Sequence, residues 1–269
     1  MDPQGKVAVV TGGASGIGAA LSRALATREA TVVVADRDGD GARAVAAAIG
    51  SAGGHAEAAA LDVSVAGQVE SLVRQTEDRH GRLDLYFSNA GIMVAGGAEV
   101  PDEDWNRIWA VNVMSHVYAA RYALPGMVER GEGYLMLTAS AAGLLTQLGA
   151  APYSVTKHAA VALGEWLSIT YARTGVKFSC LCPQAVRTNL VPGLATRSLP
   201  ADAEVASHAA RDGILEPDQV AETVLGAMAA ERFLILPHPE VATYEQRRAA
   251  DRDRWLAGMA RLVPPPTPA

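Results

Sequence analysis

The feature that most limits what this chain can fold into is a regular alternation. Short β-branched runs are followed by longer Ala/Leu/Val segments of helical period: Lys6–Val10 then Ile17–Thr27, Thr31–Ala35 then Gly39–Ala52, His55–Leu61 then Val65–His80. The pattern continues with Leu83–Phe87, Asp102–Val128, Tyr134–Leu137, Tyr153–Thr174, Val176–Leu181, Pro217–Ala230 and Phe233–Leu236. Strands that are apolar throughout must be covered on both faces, and helix-length crossovers join parallel strands. The expectation is an α/β architecture: a doubly wound parallel sheet of about seven strands with helices on both faces. The chain has 269 residues and shows no repeat or linker, so one domain is expected over residues 1–263.

Two stretches break the rhythm. Residues 184–214 follow a strand end and carry Pro192, Gly193, Pro200 and Gly213, which suits a substrate lid. Residues 239–261 read as a charged helix with Trp255, Leu256, Met259 and Leu262 as its apolar stripe, before a flexible Pro-rich tail at 264–269.

A formal net charge of −6 argues against a nucleic-acid or anionic-membrane surface, which needs a clustered basic face. The N-terminus lacks signal-peptide architecture, and no stretch approaches the ~20 apolar residues that span a bilayer. Cys180 and Cys182, two apart on a strand, leave the same face and are poorly placed for a disulfide, so they are expected as buried free thiols in a reducing cytoplasm. The six histidines show no metal-ligand spacing, and no metal is expected.

Thr11-Gly12-Gly13-Ala14-Ser15-Gly16-Ile17-Gly18 joins the first strand to the first helix. Glycines at 12, 16 and 18 permit a sharp turn, a close approach of backbone to a pyrophosphate and tight packing of helix on strand, while the helix N-terminus favours an anion. After a strand and before an amphipathic helix, this loop points to a Rossmann-like dinucleotide site. Asp36 ends the second strand 18 residues after Gly18. A carboxylate there accepts bonds from an adenosine ribose and repels a 2′-phosphate, favouring NAD; Asp36 as part of an acidic turn, or Arg37 meeting a phosphate, is the alternative. Asp62-Val63 closes the third strand, where it borders an adenine ring or serves as a turn.

Tyr153 and Lys157, at i and i+4 of one helix, share a face. A phenol titrates near 10, too high for a base at neutrality, and an adjacent ammonium lowers that value. Ser140, just past the fifth strand, is a candidate donor to a substrate oxygen. Asn112, four after Ile108 on an apolar helix face, needs polar partners of its own.

Together Thr11-Gly12-x-x-x-Gly16-x-Gly18, Asn89-Ala90-Gly91, Asn112, Ser140 and Tyr153-x-x-x-Lys157 resemble the common single-domain branch of the short-chain dehydrogenase/reductase family, over residues 5 to 240. The resemblance implies that Tyr153 exchanges a proton with the substrate oxygen and Ser140 polarises that oxygen. It also implies that Lys157 depresses the Tyr153 pKa and binds the nicotinamide ribose, and that Asn112 holds a relay water. It further places Gly12, Ser15, Gly16, Ile17, Gly18, Asp36, Arg37, Asp62, Val63, Asn89, Ala90, Gly91, Tyr153, Lys157, Pro183, Val186 and Thr188 around the cofactor. Gln184 stands where the family has glycine, so a bulky amide is expected on the substrate side. A homotetramer or dimer is implied by resemblance, and the face Ala159, Ala160, Ala162, Leu163, Trp166 and Leu167 offers close packing.

The expected pocket wall is apolar: Met93, Val94, Ala141 to Leu148 (with Ala142, Leu144 and Gln147), Leu190, Val191 and Leu194, with Gln147 and Gln184 as polar anchors. This suits a neutral, hydrophobic or aromatic secondary alcohol or ketone. No basic cluster for a carboxylate or phosphate is visible, although Arg187, Arg197 and Arg211 lie within swinging range. Rival readings are an NADPH-linked 3-oxoacyl-thioester reductase and a catalytically silent nucleotide sensor or scaffold. Asp36, and the lack of a basic residue at 14 or 15, weigh against the first, and the intact Asn112, Ser140, Tyr153 and Lys157 against the second.

Overall fold

A computed structural model describes residues 1–190 and 210–262. Seven strands form one sheet in the order β3-β2-β1-β4-β5-β6-β7: β1 (Val7–Thr11), β2 (Thr31–Asp36), β3 (His55–Ala60), β4 (Leu85–Ser88), β5 (Gly133–Thr138), β6 (Val176–Leu181) and β7 (Leu234–Ile235). Every pairing is parallel, as the helix-length crossovers require. The chain winds outward from β1 to β3, then returns to lay β4 on the other side of β1. Between the carboxyl ends of β1 and β4 the winding therefore reverses, which opens a crevice.

Helices cover both faces. Leu21 and Leu25 of α1 (Gly16–Thr27), Ala42 and Ile49 of α2 (Gly39–Ser51) and Val220 and Val224 of α8 (Pro217–Ala229) pack with Val10, Val32 and Val34. On the other face Val69 and Leu72 of α3 (Ala66–His80), Ala119 and Ala123 of α5 (Ser115–Arg130) and Leu167 of α7 (Ala151–Thr170) meet Val9, Val33 and Leu135. Consecutive strand residues thus go to opposite cores, which is why the strand sequences are apolar without alternation. The edge strand β3 is the exception, with exposed and half-buried residues along its length.

Three local features differ from the sequence expectation. The helix read as Asp102–Val128 is α4 (Asp102–Trp109), a π-turn at Ala110–Met114 and then α5. A short helix, α6 (Ala142–Leu145), lies within the expected pocket wall. The C-terminal helix is two, α9 (Glu240–Ala250) and α10 (Arg252–Ala260), because Asp251 adopts extended backbone and its carboxylate accepts from Arg254 N, capping a new helix. The stripe on α10 is only partly covered: Trp255 and Met259 are half-buried, no residue of this helix is buried and Leu256 is 56 % exposed. The middle of the expected lid, including Val191, Leu194 and Arg197, and the tail at 264–269 lie outside the described residues.

Candidate active site

Backbone geometry explains the glycine loop. Gly12 (φ +67°) and Gly16 (φ +51°) occupy the left-handed region, and a Cβ on Gly18 would fall 2.0 Å from the Gly12 carbonyl oxygen. Ser15 starts α1 without a capping bond from its side chain, and the first turn has no acidic residue. Thr188, past β6, reaches over the loop: its methyl would lie 2.9 Å from a Cβ on Gly16. Its segment is pinned where Arg187 N donates to the Leu215 carbonyl and Leu215 N to that of Ala185, with Val186 buried between. The ion pair of Arg187 with Glu216 holds that guanidinium at the surface of this segment.

Asp36 is fixed at the end of β2: its two oxygens accept from Ala14 N (3.0 Å) and Asp38 N (2.9 Å), and Arg37 beside it is exposed. Asp62 makes a turn of its own. Its Oδ1 accepts from the Ser64 hydroxyl (2.6 Å) and amide (2.9 Å), bonds that with the charge of Arg37 hold its carboxyl below the usual range. Val63 behind it is buried. Asn89 ties strand ends together. Its Nδ2 donates to the Thr11 carbonyl (3.0 Å), its Oδ1 accepts from Thr138 Oγ1 (3.2 Å), and Thr11 Oγ1 accepts from the amides of Asn89 and Ala90. Gly91 follows because a Cβ there would lie 3.4 Å from both Asn112 Oδ1 and Lys157 Nζ.

Those two side chains belong to the site's buried half. The π-turn swings Asn112 inward, where Oδ1 accepts from Ile92 N and Nδ2 donates to the Ile92 carbonyl, each at 2.9 Å. Nδ2 also reaches Thr156 Oγ1 at 3.3 Å, linking the π-turn to α7. Lys157 is buried on α7, donates to the Thr138 carbonyl at 2.8 Å and lies 5.6 Å from the Tyr153 ring centroid. Ser140 follows β5. Its oxygen accepts from Ala142 N (3.1 Å) and its hydroxyl donates to the Pro183 carbonyl (3.4 Å), and its nearness tends to lower the Tyr153 phenol's pKa.

The electrostatics run against the sequence expectation. Burial pushes the Tyr153 phenol up to about 12, partly offset by the nearby Ser140 hydroxyl, rather than the ammonium pulling it down. Burial also lowers Lys157, to about 8. Both shifts have one chief cause: burial penalises the charged form of each group.

Around the phenol lies an apolar cluster of Val94, Ile108, Ala142, Ala150 and Tyr153, with Met93 and Leu190 packed on it. Ala141 and Leu144 turn instead into a second cluster with Cys180 and Cys182. Gln147 pairs its backbone with Ser154 Oγ through both N and O. Gln184 stands one residue past the carbonyl that Ser140 touches. Its backbone N–H donates to His238 Nδ1 (3.2 Å), and its side-chain Oε1 is buried without a partner. The thiols of Cys180 and Cys182 are free, buried and 3.9 Å apart. Two buried histidines, His116 and His238, escaped the sequence reading. Only the i+4 spacing of His116 from Asn112 pointed to it.

The groups converge on the crevice at the carboxyl edge of the sheet. Glycines stand where side chains would fill the floor, and a carboxylate marks the far end of β2, so the cleft fits a dinucleotide. Among the described residues no cluster of three His, Cys, Asp or Glu side chains suits a metal, and no helix is long and apolar enough to cross a membrane.

This combination of fold and site defines a class, the nicotinamide-dependent oxidoreductases with a buried Tyr/Lys pair. Residues 6–198 match the family model described as short chain dehydrogenase. The 1-deoxy-11-beta-hydroxypentalenate dehydrogenase of Streptomyces exfoliatus is 34 % identical, over 100 % of this chain and 94 % of its own length. A short chain dehydrogenase/reductase from Burkholderia phymatum, in complex with NAD, superposes with a TM-score of 0.84 at 32 % identity, covering 100 % of this chain and 99 % of that one. A putative NAD(P) dependent gluconate 5-dehydrogenase from Beutenbergia cavernae, with bound NADP, gives 0.79 at 27 % identity over 89 % and 98 %. The chain belongs to the short-chain dehydrogenase family: it is an oxidoreductase acting on hydroxyl and keto groups with a nicotinamide dinucleotide.

Proposed function

We propose that the chain interconverts a neutral, hydrophobic or aromatic secondary alcohol and its ketone with NAD(H), Tyr153 being the acid and base. The observation that carries this reading is the convergence of Tyr153, Ser140, Lys157 and Asn112 beside a glycine-floored crevice. Once bound, the dinucleotide supplies or accepts the hydride. Gly12, Ser15, Gly16, Ile17 and Gly18 cradle its pyrophosphate. Ala90, Gly91, Pro183, Val186 and Thr188 line the nicotinamide end, with Asn89 tying the strand ends together. Asp36 and Val63 face the adenosine, and the Asp36 carboxylate would repel a 2′-phosphate, which supports NAD.

In the reductive direction Tyr153 Oη gives its proton to the carbonyl oxygen while Ser140 Oγ donates to the same atom. A phenol titrating near 12 is protonated at neutral pH and ready for that task. In the oxidative direction the same group removes the hydroxyl proton, so alcohol oxidation quickens as pH rises. The Lys157 ammonium, anchored on Thr138, binds the ribose. Asn112 keeps the Ile92 peptide and α7 in register around it. The apolar cluster at Met93, Val94, Ala142 and Leu190 supports an uncharged substrate, with Gln184 as a polar anchor.

A second copy of the chain is the natural cover for α5 and α7. Trp166 and Ile169 are 57 % and 77 % exposed, beside a groove of about 380 Å³ lined by Val117, Arg121, Leu124, Leu163 and Tyr171. Ala160 and Leu167, placed on that face from the sequence, pack into the chain's own core. Free buried thiols suit a cytoplasmic setting. The direct experiment is a screen of secondary alcohols and ketones with NAD(H) and NADP(H), followed by nicotinamide absorbance. Turnover of neutral substrates with NAD(H) supports the reading, and turnover confined to charged substrates or NADP(H) refutes it.

A further inference from the structure

Between Ser140 and Tyr153 the chain runs through α6 and then residues 146–150 before α7 begins. This short strap forms part of the apolar wall around the phenol: Ala150 is buried in the cluster of Val94, Ile108, Ala142 and Tyr153. Both of its ends are tied. At the far end Gly96 N donates to the Gly149 carbonyl and Ala151 N to the Gly96 carbonyl, each at 2.8 Å, which joins the strap to the loop after β4. At the near end the buried Ser154 hydroxyl of α7 accepts from Gln147 N (2.8 Å) and donates to the Gln147 carbonyl (3.1 Å).

The strap turns at two residues of positive φ. One is Gly149 (φ +70°), which adopts it freely, but the other is Thr146, with φ +74° and ψ +130°. A β-branched side chain crowds its own backbone in that region, so the conformation persists only where the surroundings impose it. Thr146 is exposed, and side-chain packing does not impose it. Its N–H closes α6 on the Ala142 carbonyl at 3.1 Å, and the next residue is the one that Ser154 grips. Ser154 therefore supplies the restraint that opposes relaxation at Thr146.

We infer that Ser154 is a positioning residue that fixes the wall of the substrate pocket: by gripping both groups of Gln147 it holds Thr146 in its strained conformation and keeps Ala150 seated beside Tyr153. Without that grip the strap relaxes at Thr146 and the pocket loses a defined wall. Lys157 stays anchored on Thr138, and the glycine loop lies at the end of β1, so the cofactor site is untouched. The wall is that of the pocket proposed above for a neutral substrate, so the inference rests on that reading, and half of its test needs no turnover.

That half is a cycle of Thr146→Gly and Ser154→Ala, each alone and both together in the full chain, read by thermal unfolding. Glycine adopts the Thr146 backbone without strain, so Thr146→Gly should raise Tm by about 2–5 °C where Ser154 enforces that conformation. In the Ser154→Ala chain the strain is already released, and the same change should leave Tm unchanged or lower it. Kinetics with 2-tetralone, a neutral bicyclic ketone, and NADH give the readout that a merely structural hydroxyl would not move. Ser154→Ala should raise KM about fivefold, with kcat and NADH affinity within about twofold of the unmutated chain, and Thr146→Gly added to it should bring KM back. A Thr146→Gly chain that melts no higher, equal gains in both backgrounds, or a KM that Ser154→Ala leaves unchanged overturns the inference. Should Ser154→Ala fail to fold, Ser154→Cys, which keeps a side chain of similar shape and weakens both bonds, takes its place with the same expectations. A coupled melting cycle in a chain inert toward every alcohol and ketone would overturn the proposed reaction and leave the restraint by Ser154 standing.

Discussion

Asn112 grips the Ile92 peptide at both ends, accepting from its N–H and donating to its carbonyl at 2.9 Å each. The loop after β4 is thereby fastened to the π-turn, and Gly91 is held against Lys157. Asn112→Ala leaves both peptide groups unpaired inside the protein. It should cost about 2–4 kcal/mol in urea unfolding, with loss of turnover. A variant as stable as the unmutated chain would mean that water replaces the amide.

The carboxylate of Asp36 is preset by Ala14 N and Asp38 N to meet a ribose. Asp36→Ala should weaken NAD(H) roughly tenfold, the worth of a hydrogen bond to a charged group, and tighten NADP(H), whose 2′-phosphate no longer meets a carboxylate. Fluorescence titration with both cofactors measures this. Equal affinities before mutation would contradict the NAD preference.

Much of this arrangement was legible in the sequence because each part had a local cause. The strands are apolar runs, Gly12 and Gly16 are demanded by positive φ, and Tyr153 and Lys157 share a helix face by spacing alone. What was hidden depends on distant groups. The π-turn around Asn112 leaves no mark in hydrophobic periodicity, and the burial that raises Tyr153 comes from packing between α4, α6 and α7. The sequence suggested a phenol acidified by its neighbour, but burial pushes the phenol up, and the ammonium donates to Thr138, a residue on β5 that no spacing rule links to α7. His116 drew no reading of its own because its partner, Ser88, comes from β4, 28 positions earlier in the chain. The stripe on α10 shows the opposite failure, a helical pattern that the described residues leave without a buried side chain.

If a second copy covers α5 and α7, a charge at the centre of that face should block it. Trp166→Glu is expected to give a folded monomer by light scattering, with Tm lowered only as far as lost association explains. An unmutated chain that is already monomeric would remove the proposal.

The burial of His116 predicts an acid-side cost. Its pKa is pushed down to about 3 from 6.5, chiefly by burial and then by the Lys157 charge. Between those values the unfolded chain binds a proton that the folded chain refuses, so stability falls as pH drops below about 6.5. His116→Gln lacks this group. Between pH 7 and 4.5 its loss of stability should be smaller than that of the unmutated chain by roughly 2–3 kcal/mol in urea unfolding. His238 is lowered in the same direction but is common to both chains, so it drops out of the difference.

The central claim is that the Tyr153 hydroxyl carries the proton while the fold binds the dinucleotide without it. Tyr153→Phe removes one oxygen from the cluster around Val94, Ile108 and Ala142 and leaves its packing intact. Cofactor titration and turnover of a neutral ketone, measured together on this variant, test the claim most directly. The account predicts NAD(H) affinity within about threefold of the unmutated chain and a turnover loss of at least ~100-fold, the lower range for general acid catalysis. Turnover that survives the substitution would contradict it.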